Sequence, residues 1–386
     1  MPYVPSSLRF FVNPNRGTPG VTVLPAAGFR RARAEIVSWP GYAPTPLVPL
    51  TGIAAELGLN AVMVKDEASR FGLGSFKALG GAYAVLGVVT GALARNGEAA
   101  AATAVELEAG RYAAAASRVT VCSTTDGNHG RSVAWGARRF GVACRIFVHE
   151  GVSQGRIDAL AAFGAEIHRV PGSYDDAVRD AAAAAAREGW FVVSDTSWPG
   201  YTEIPREVMQ GYRLMADEAL DQWTGPPPTH VFIQAGVGGV AAAVSVQMRA
   251  RLDPVPAVVV VEPDQAACLL ASAEVQALNT VGGELDTIMA GLACGMPSLL
   301  AWQELERAAA AFVAIPDDAA VAAMRVLAAQ GVVSGESGAA GLGALMLACG
   351  NGMARSQLGL DATSRVLLFS TEGAADLDVY QALVGA

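Results

Sequence analysis

Between residues 119 and 194, short apolar runs alternate with longer segments whose apolar positions recur every three or four residues. Runs at 119–123, 144–149, 166–170 and 191–194 predict strands, and the periodic segments at 130–140, 154–163 and 174–188 predict helices. The same rhythm returns at 230–234, 240–251 and 257–262, with further strands at 312–315 and 366–370. Upstream, 45–57 reads as a turn feeding a helix, 61–66 as a buried strand, 91–117 as an alanine-dominated helical scaffold and 204–220 as a helix. Residues 1–45 are proline-rich and predict irregular chain wrapping a domain or a partner subunit. Strands that alternate with helices predict parallel pairing, because a parallel crossover needs a long connection that a helix supplies. The expected class is therefore α/β, with two open, mostly parallel twisted sheets and flanking helices. Residues 1–88 and 201–386 form the expected large domain and 89–200 a smaller inserted one. The proline run at 224–228 is the sharpest linker signal.

Composition narrows the class. With 386 residues, 52% hydrophobic and 16% charged, the chain is expected to bury a large core and not to be disordered. The net charge of -9, with no basic stripe, argues against nucleic acid. No unbroken run of about 18 apolar residues is apparent, so no membrane partner is expected. The N-terminal segment lacks the pattern of a secretory leader, which makes the cytoplasm the default. Five cysteines without a CxxC pair predict mostly buried thiols in a reducing compartment and no metal site, with any pairing of Cys268 and Cys294 left open.

Lysine is scarce, and one lysine stands in unusual company. Lys77 lies within RFGLGSFKALGG at 70–81, at a loop-to-helix junction crowded by Gly72, Gly74, Gly80 and Gly81. The positive end of a helix and apolar neighbours both disfavour an ammonium, which suits an amine acting as a nucleophile or Schiff-base partner. A lone lysine at a helix start is more often an ordinary surface residue. What shifts the balance is a set of further glycine-rich turns.

One is STTDGNHGR at 123–131, after a strand and before a helix, where backbone N–H groups can face a carboxylate. Asp126 adds an acid or base and Asn128 a donor, although such residues also favour plain turns. The second is AGVGGV at 235–240, where glycines let the backbone approach a phosphate. Read with Glu262, about two dozen residues after Gly238, this loop also satisfies a loose dinucleotide pattern, so a nicotinamide dehydrogenase is a rival reading. SGESGAAGL at 334–342 embeds Glu336 in a glycine-rich turn, and Ser370 and Thr371 end the last strand with hydroxyls suited to a heteroaromatic nitrogen. Asp195, in SDTSWPGY, reads equally as a cap or as a second acid.

Together with YAPTPLVPL, EPDQAAC and TIMAGLACG, these stretches make residues 39–380 resemble the tryptophan-synthase-β-like family of pyridoxal-phosphate enzymes, fold type II. Asp126, DTSWPGY and TIMAGLACG match its ammonia-lyase branch and would not be expected in a serine or threonine dehydratase. The resemblance implies pyridoxal 5'-phosphate held covalently by Lys77, with its phosphate cradled by Gly236, Val237, Gly238 and Gly239. Asn128 would bond the ring hydroxyl, Ser370 or less readily Thr371 the ring nitrogen, and Glu336 is counted with the cofactor residues. Thr124, Thr125, Asp126 and Gly127 would receive the carboxylate of an amino-acid substrate, with Lys77, Asp126 and Asp195 catalytic. The implied reaction is α,β-elimination on 2,3-diaminopropionate by a homodimer. Ala374, Ala375 and Met296 stand where the family usually carries an acid with a hydroxyl and an acidic residue, respectively.

Overall fold

The computed structural model describes residues 8–18, 20–125 and 127–385, apart from the side chain of Asp175. Asp126 lies outside the described residues. These residues form eleven strands: β1 (Arg9–Val12), β2 (Leu47–Pro49), β3 (Ala61–Asp66), β4 (Thr120–Thr124), β5 (Ala143–His149), β6 (Glu166–Val170), β7 (Phe191–Val192), β8 (His230–Gln234), β9 (Ala257–Pro263), β10 (Ala311–Ile315) and β11 (Arg365–Ser370).

They divide between two compact units. The larger holds residues through Pro25, Ala43–Phe76 and the chain from Tyr212 onward. Its sheet has the order β1-β10-β9-β8-β11-β3-β2. The five inner strands are parallel, and β1 and β2 run antiparallel at the two edges. Every residue of β8 and β10 is buried, as a strand covered on both faces requires, and this explains why the apolar runs there are continuous and not alternating. Pro49, which has no N–H to give a ladder, sits on edge strand β2.

The smaller unit comprises Ala26–Tyr42 and Lys77–Gly211, around the all-parallel sheet β6-β5-β4-β7. Helices Ala78–Arg95 and Asn128–Phe140 pack closely because small residues meet between them. A Cβ on Gly136 would stand 2.8 Å from the Ala82 Cα, and one on Gly81 would overlap the Ser132 hydroxyl. Ala78–Arg95 is long and apolar enough to cross a membrane by length and composition, although glycines interrupt it, and 72% of it is buried inside the protein.

Residues 1–45 are not all irregular: the described part contains β1 and the helix Ala26–Ile36. A four-residue edge strand that needs β10 to pair with leaves too short a pattern to read. The unit boundaries also differ from the expected ones. Residues 26–42 and 77–88 belong with the smaller unit, drawn there by the glycine-lined helix contacts. The chain returns to the larger unit inside helix Glu203–Gln222, and the proline run at 224–228 is a loop within the larger unit.

Gly211 on that helix shows how tight the packing is. A Cβ there would overlap the carbonyl oxygen of Leu79, a backbone atom that no rotamer change can move aside. Gly211→Ala is expected to lower stability by about 2–3 kcal/mol, read as an earlier midpoint in urea unfolding.

Candidate active site

Lys65 and Lys77 are the two lysines of the chain. Lys65 is fully buried in the larger unit, where its Nζ lies 2.8 Å from Glu218 and donates to the Thr45 carbonyl and to Gln222 Oε1. Arg70 joins the same cluster, with bonds of 2.8 Å to Glu67 and 2.7 Å to Glu218. Burying these charges is tolerable only because each is paired. The cluster anchors the loop that runs from Glu67 toward Phe76, where the Phe76 N–H donates to the Thr371 carbonyl.

Lys77 is different. It caps the start of helix Ala78–Arg95, its backbone carbonyl accepts from Ser132 Oγ at 2.7 Å, and its side chain is 20% exposed. Its Nζ donates to Asp195 Oδ2 at 2.5 Å. Asp195 follows β7, at the end of the same sheet that delivers the turn after β4. Burial pushes the Asp195 carboxyl up, but the Lys77 ammonium and then His129 outweigh it and hold the group below the usual carboxylate range.

His129, the second residue of helix Asn128–Phe140, was not singled out by sequence reasoning, although GNHG contains it. Its Nε2 lies 3.0 Å from the Val193 carbonyl and its Nδ1 3.9 Å from Asp195 Oδ2. Burial first, with the Lys77 charge adding, pushes the imidazole below its ordinary value. The turn before it is held by its own hydroxyls. Thr125 Oγ1 accepts the N–H groups of Gly127 and Gly130, at 3.1 and 3.2 Å, and Thr124 donates to the Ala177 carbonyl. Asn128 opens the helix, where first-turn N–H groups have no acceptor within the helix.

In the larger unit, Gly236–Gly239 follow β8 and lead into helix Gly239–Arg251. Gly238 has φ +96°, a conformation that favours glycine, and a Cβ on Gly236 would come within 2.9 Å of Cys294 Sγ and 3.2 Å of the Gly291 carbonyl. A bare backbone at the positive end of a 13-residue helix fits a phosphate. Neither Cys268 nor Cys294 is in a disulfide, and nor are the other three cysteines.

β11 ends in the same unit. Ser370 Oγ is bonded to Ser334 Oγ at 2.8 Å, and Thr371 Oγ1 accepts from Gln234 Nε2 at 2.7 Å. Since Nε2 can only donate, the Thr371 proton is left to point at another acceptor. Glu336 opens helix Glu336–Gly350 half-buried, but it is Glu372 that braces this turn, accepting from the Ser337 N–H at 3.2 Å. Gln234, Ser334 and Glu372 lie in or beside the glycine-rich stretches but were not singled out, because the bonds that give them a part join residues far apart in the chain.

Glu262 settles the dehydrogenase rival. Its carboxylate is fully buried and accepts the N–H groups of Leu269 and Leu270, both at 2.7 Å. Burial pushes it up to about 8, against those two bonds. An acid that caps a helix in the core is not available to a ribose. Within the larger unit, a glycine cradle a Cβ would fill and neutral hydroxyl donors fit a phosphorylated heteroaromatic group, and within the smaller unit Lys77 is a reachable amine that fits an aldehyde.

Comparison with known proteins agrees. The model of the family described as pyridoxal-phosphate dependent enzymes matches residues 38–371. Diaminopropionate ammonia-lyase of Escherichia coli strain K12 is 40% identical over 355 residues, covering 89% of this chain and 88% of that protein. The Salmonella typhimurium enzyme of the same name is 38% identical, with 89% of each covered. The crystal structure of the holo Escherichia coli enzyme superposes with a TM-score of 0.90 at 36% identity, covering 98% of this chain and 96% of that one.

Proposed function

Because this chain belongs to the pyridoxal-phosphate-dependent enzyme family, we propose that it cleaves both amino groups from 2,3-diaminopropionate, giving pyruvate and two ammonia. The observation that carries this is the pairing of Lys77, the one lysine that is not buried, with the carboxylate of Asp195 at 2.5 Å. The fold is that of fold type II enzymes and the cofactor is pyridoxal 5'-phosphate.

Lys77 would hold the cofactor through its amine, Gly236, Val237, Gly238 and Gly239 its phosphate, and Asn128 its ring hydroxyl. Ser370 or Thr371 would meet the ring nitrogen, and the proton that Gln234 leaves on Thr371 favours that residue. A neutral hydroxyl there would leave the nitrogen unprotonated, which would favour prompt elimination over transamination. When bound, the cofactor supplies the electron sink for the α-carbanion. The side chains do the rest. N–H groups of the turn 124–127 receive the substrate carboxylate. Lys77 removes the α-proton from one enantiomer and Asp126 from the other. Asp195, beside Lys77, exchanges a proton with it and supplies one to the departing β-amine, which can leave only as ammonia. Near neutrality the carboxylate of Asp195 must first be protonated, and the amine of Lys77 is the donor in reach.

The chain would work as a homodimer in the cytoplasm, on a small amino acid and without nucleic acid or membrane; five cysteines outside any disulfide suit a reducing compartment. The test is to supply D- and L-2,3-diaminopropionate, serine and threonine separately and to quantify 2-oxo acid and ammonia. Two ammonia per pyruvate from diaminopropionate, with little turnover of the hydroxy amino acids, is the expected result. Turnover of serine or threonine alone would make the chain a dehydratase.

A further inference from the structure

Around Lys77 one group has no task in that scheme. His129 is buried, and its Nδ1 makes no hydrogen bond among the described residues. The tautomer follows from its contacts. Nε2 lies 3.0 Å from a carbonyl oxygen, which cannot donate, so Nε2 carries the hydrogen and a neutral ring leaves a lone pair on Nδ1. That lone pair faces Asp195 Oδ2 at 3.9 Å, too long for a hydrogen bond. Two acceptors with no proton between them stand apart, and one proton would let them close.

We propose that His129 is a positioning residue that, through Asp195, stores the proton Lys77 gives up. An N–H bond of the Lys77 ammonium breaks and an O–H bond forms on Asp195 Oδ2. His129 Nδ1 then either accepts a hydrogen bond from that O–H or takes the proton, leaving Asp195 a carboxylate. The total charge of the three groups stays the same. The amine therefore becomes neutral, and able to form its covalent bond or take an α-proton, without releasing a proton to solvent. The return of the same proton recharges Lys77.

The surroundings are consistent with a single shared proton. The described charged or titratable groups acting on His129 are Asp195, which favours its charged form, and Lys77, which opposes it. Once the charge leaves Lys77, only the favourable influence remains. Asp195 also feels Tyr201, but that hydroxyl donates to the Val192 carbonyl at 2.7 Å and accepts from the Ser194 N–H, so its proton is committed. The inference deepens the proposed function by saying how Lys77 is discharged.

Two measurements on the full chain test it without using diaminopropionate, so its failure is distinct from failure of the substrate assignment. The first is nitrogen-15 NMR of histidine-labelled protein, in which His129→Gln identifies one signal among four histidines. Without cofactor the ring should be Nε2–H with Nδ1 bare. Adding pyridoxal phosphate, which takes up Lys77 only as the neutral amine, should move Nδ1 toward its protonated or hydrogen-bonded position. The second is acetylation of Lys77 at neutral pH, followed by mass spectrometry and readable alone because Lys65 is buried. His129→Gln, which keeps a donor for Val193 but takes no proton, and His129→Phe should each slow it about tenfold, the equivalent of one pH unit. An Nδ1 already protonated without cofactor would overturn the proposal. So would unchanged labelling in a folded variant. If neither variant folds, single Gln substitutions of His149, His168 and His230 identify the other three signals, and the remaining His129 signal decides.

Discussion

Lys77→Ala is expected to abolish turnover of diaminopropionate, by at least about 10³-fold. The effect is large because nothing else in the chain can take over. The other lysine, Lys65, is fully buried and held by Glu218 and by the Thr45 carbonyl. Borohydride treatment followed by mass spectrometry is expected to fix one cofactor on the wild type, on the peptide containing Lys77, and none at that position in the variant. Lys77→Arg separates the two jobs of the side chain. It keeps a cation for Asp195 but has no amine to bond the cofactor, so it should retain the stability of the parent and be as inactive as Lys77→Ala. Cofactor fixed elsewhere, with activity preserved, would displace Lys77 from the centre of the site.

Asp195→Asn is expected to lower kcat by about 10²- to 10³-fold with a much smaller change in KM, because the amide can neither accept the Lys77 proton nor protonate the leaving amine. Stability should change with a definite sign. The Asp195 carboxyl is held below its ordinary range in the folded chain, so its ionised form stabilises the fold at pH values above that of an unfolded aspartate. That contribution is lost as pH falls through the folded value. Thermal midpoints of parent and variant should therefore differ at neutral pH and converge in strong acid. A gap that instead widened in acid would mean that Asp195 is protonated in the native state, and its pairing with Lys77 would have to be abandoned.

Much of the candidate site could be read from local pattern. Lys77 among its glycines, the turn before Asn128 and the loop at Gly236–Gly239 announce themselves because turn chemistry and helix starts depend on residues a few positions apart. The strand-helix rhythm likewise predicted the parallel sheets, since burial on both faces leaves continuous apolar runs. The altered turn at Ala374 and Ala375 still ends in an ordinary cap, with Asp376 accepting from the N–H groups of Asp378 and Val379. Met296 is 54% exposed, so its departure from the family pattern falls on the surface.

What sequence left open were questions about partners far along the chain. Glu262 read as a candidate ribose acid until its carboxylate was seen to cap the start of helix Cys268–Val275. Asp195 could have been a cap or an acid until it met Lys77, 118 residues away. Ser370 was the preferred partner of the ring nitrogen and Thr371 the lesser one, whereas their bonds to Ser334 and Gln234 are what tell the two hydroxyls apart. The sequence by itself determined which elements form and which groups have the right chemistry, because periodicity, turns and caps are local. Tertiary structure alone decided where the units divide and which of those groups face one another. Those outcomes depend on close approaches, such as Gly211 against Leu79, and on which charges are buried together, and no spacing along the chain encodes either.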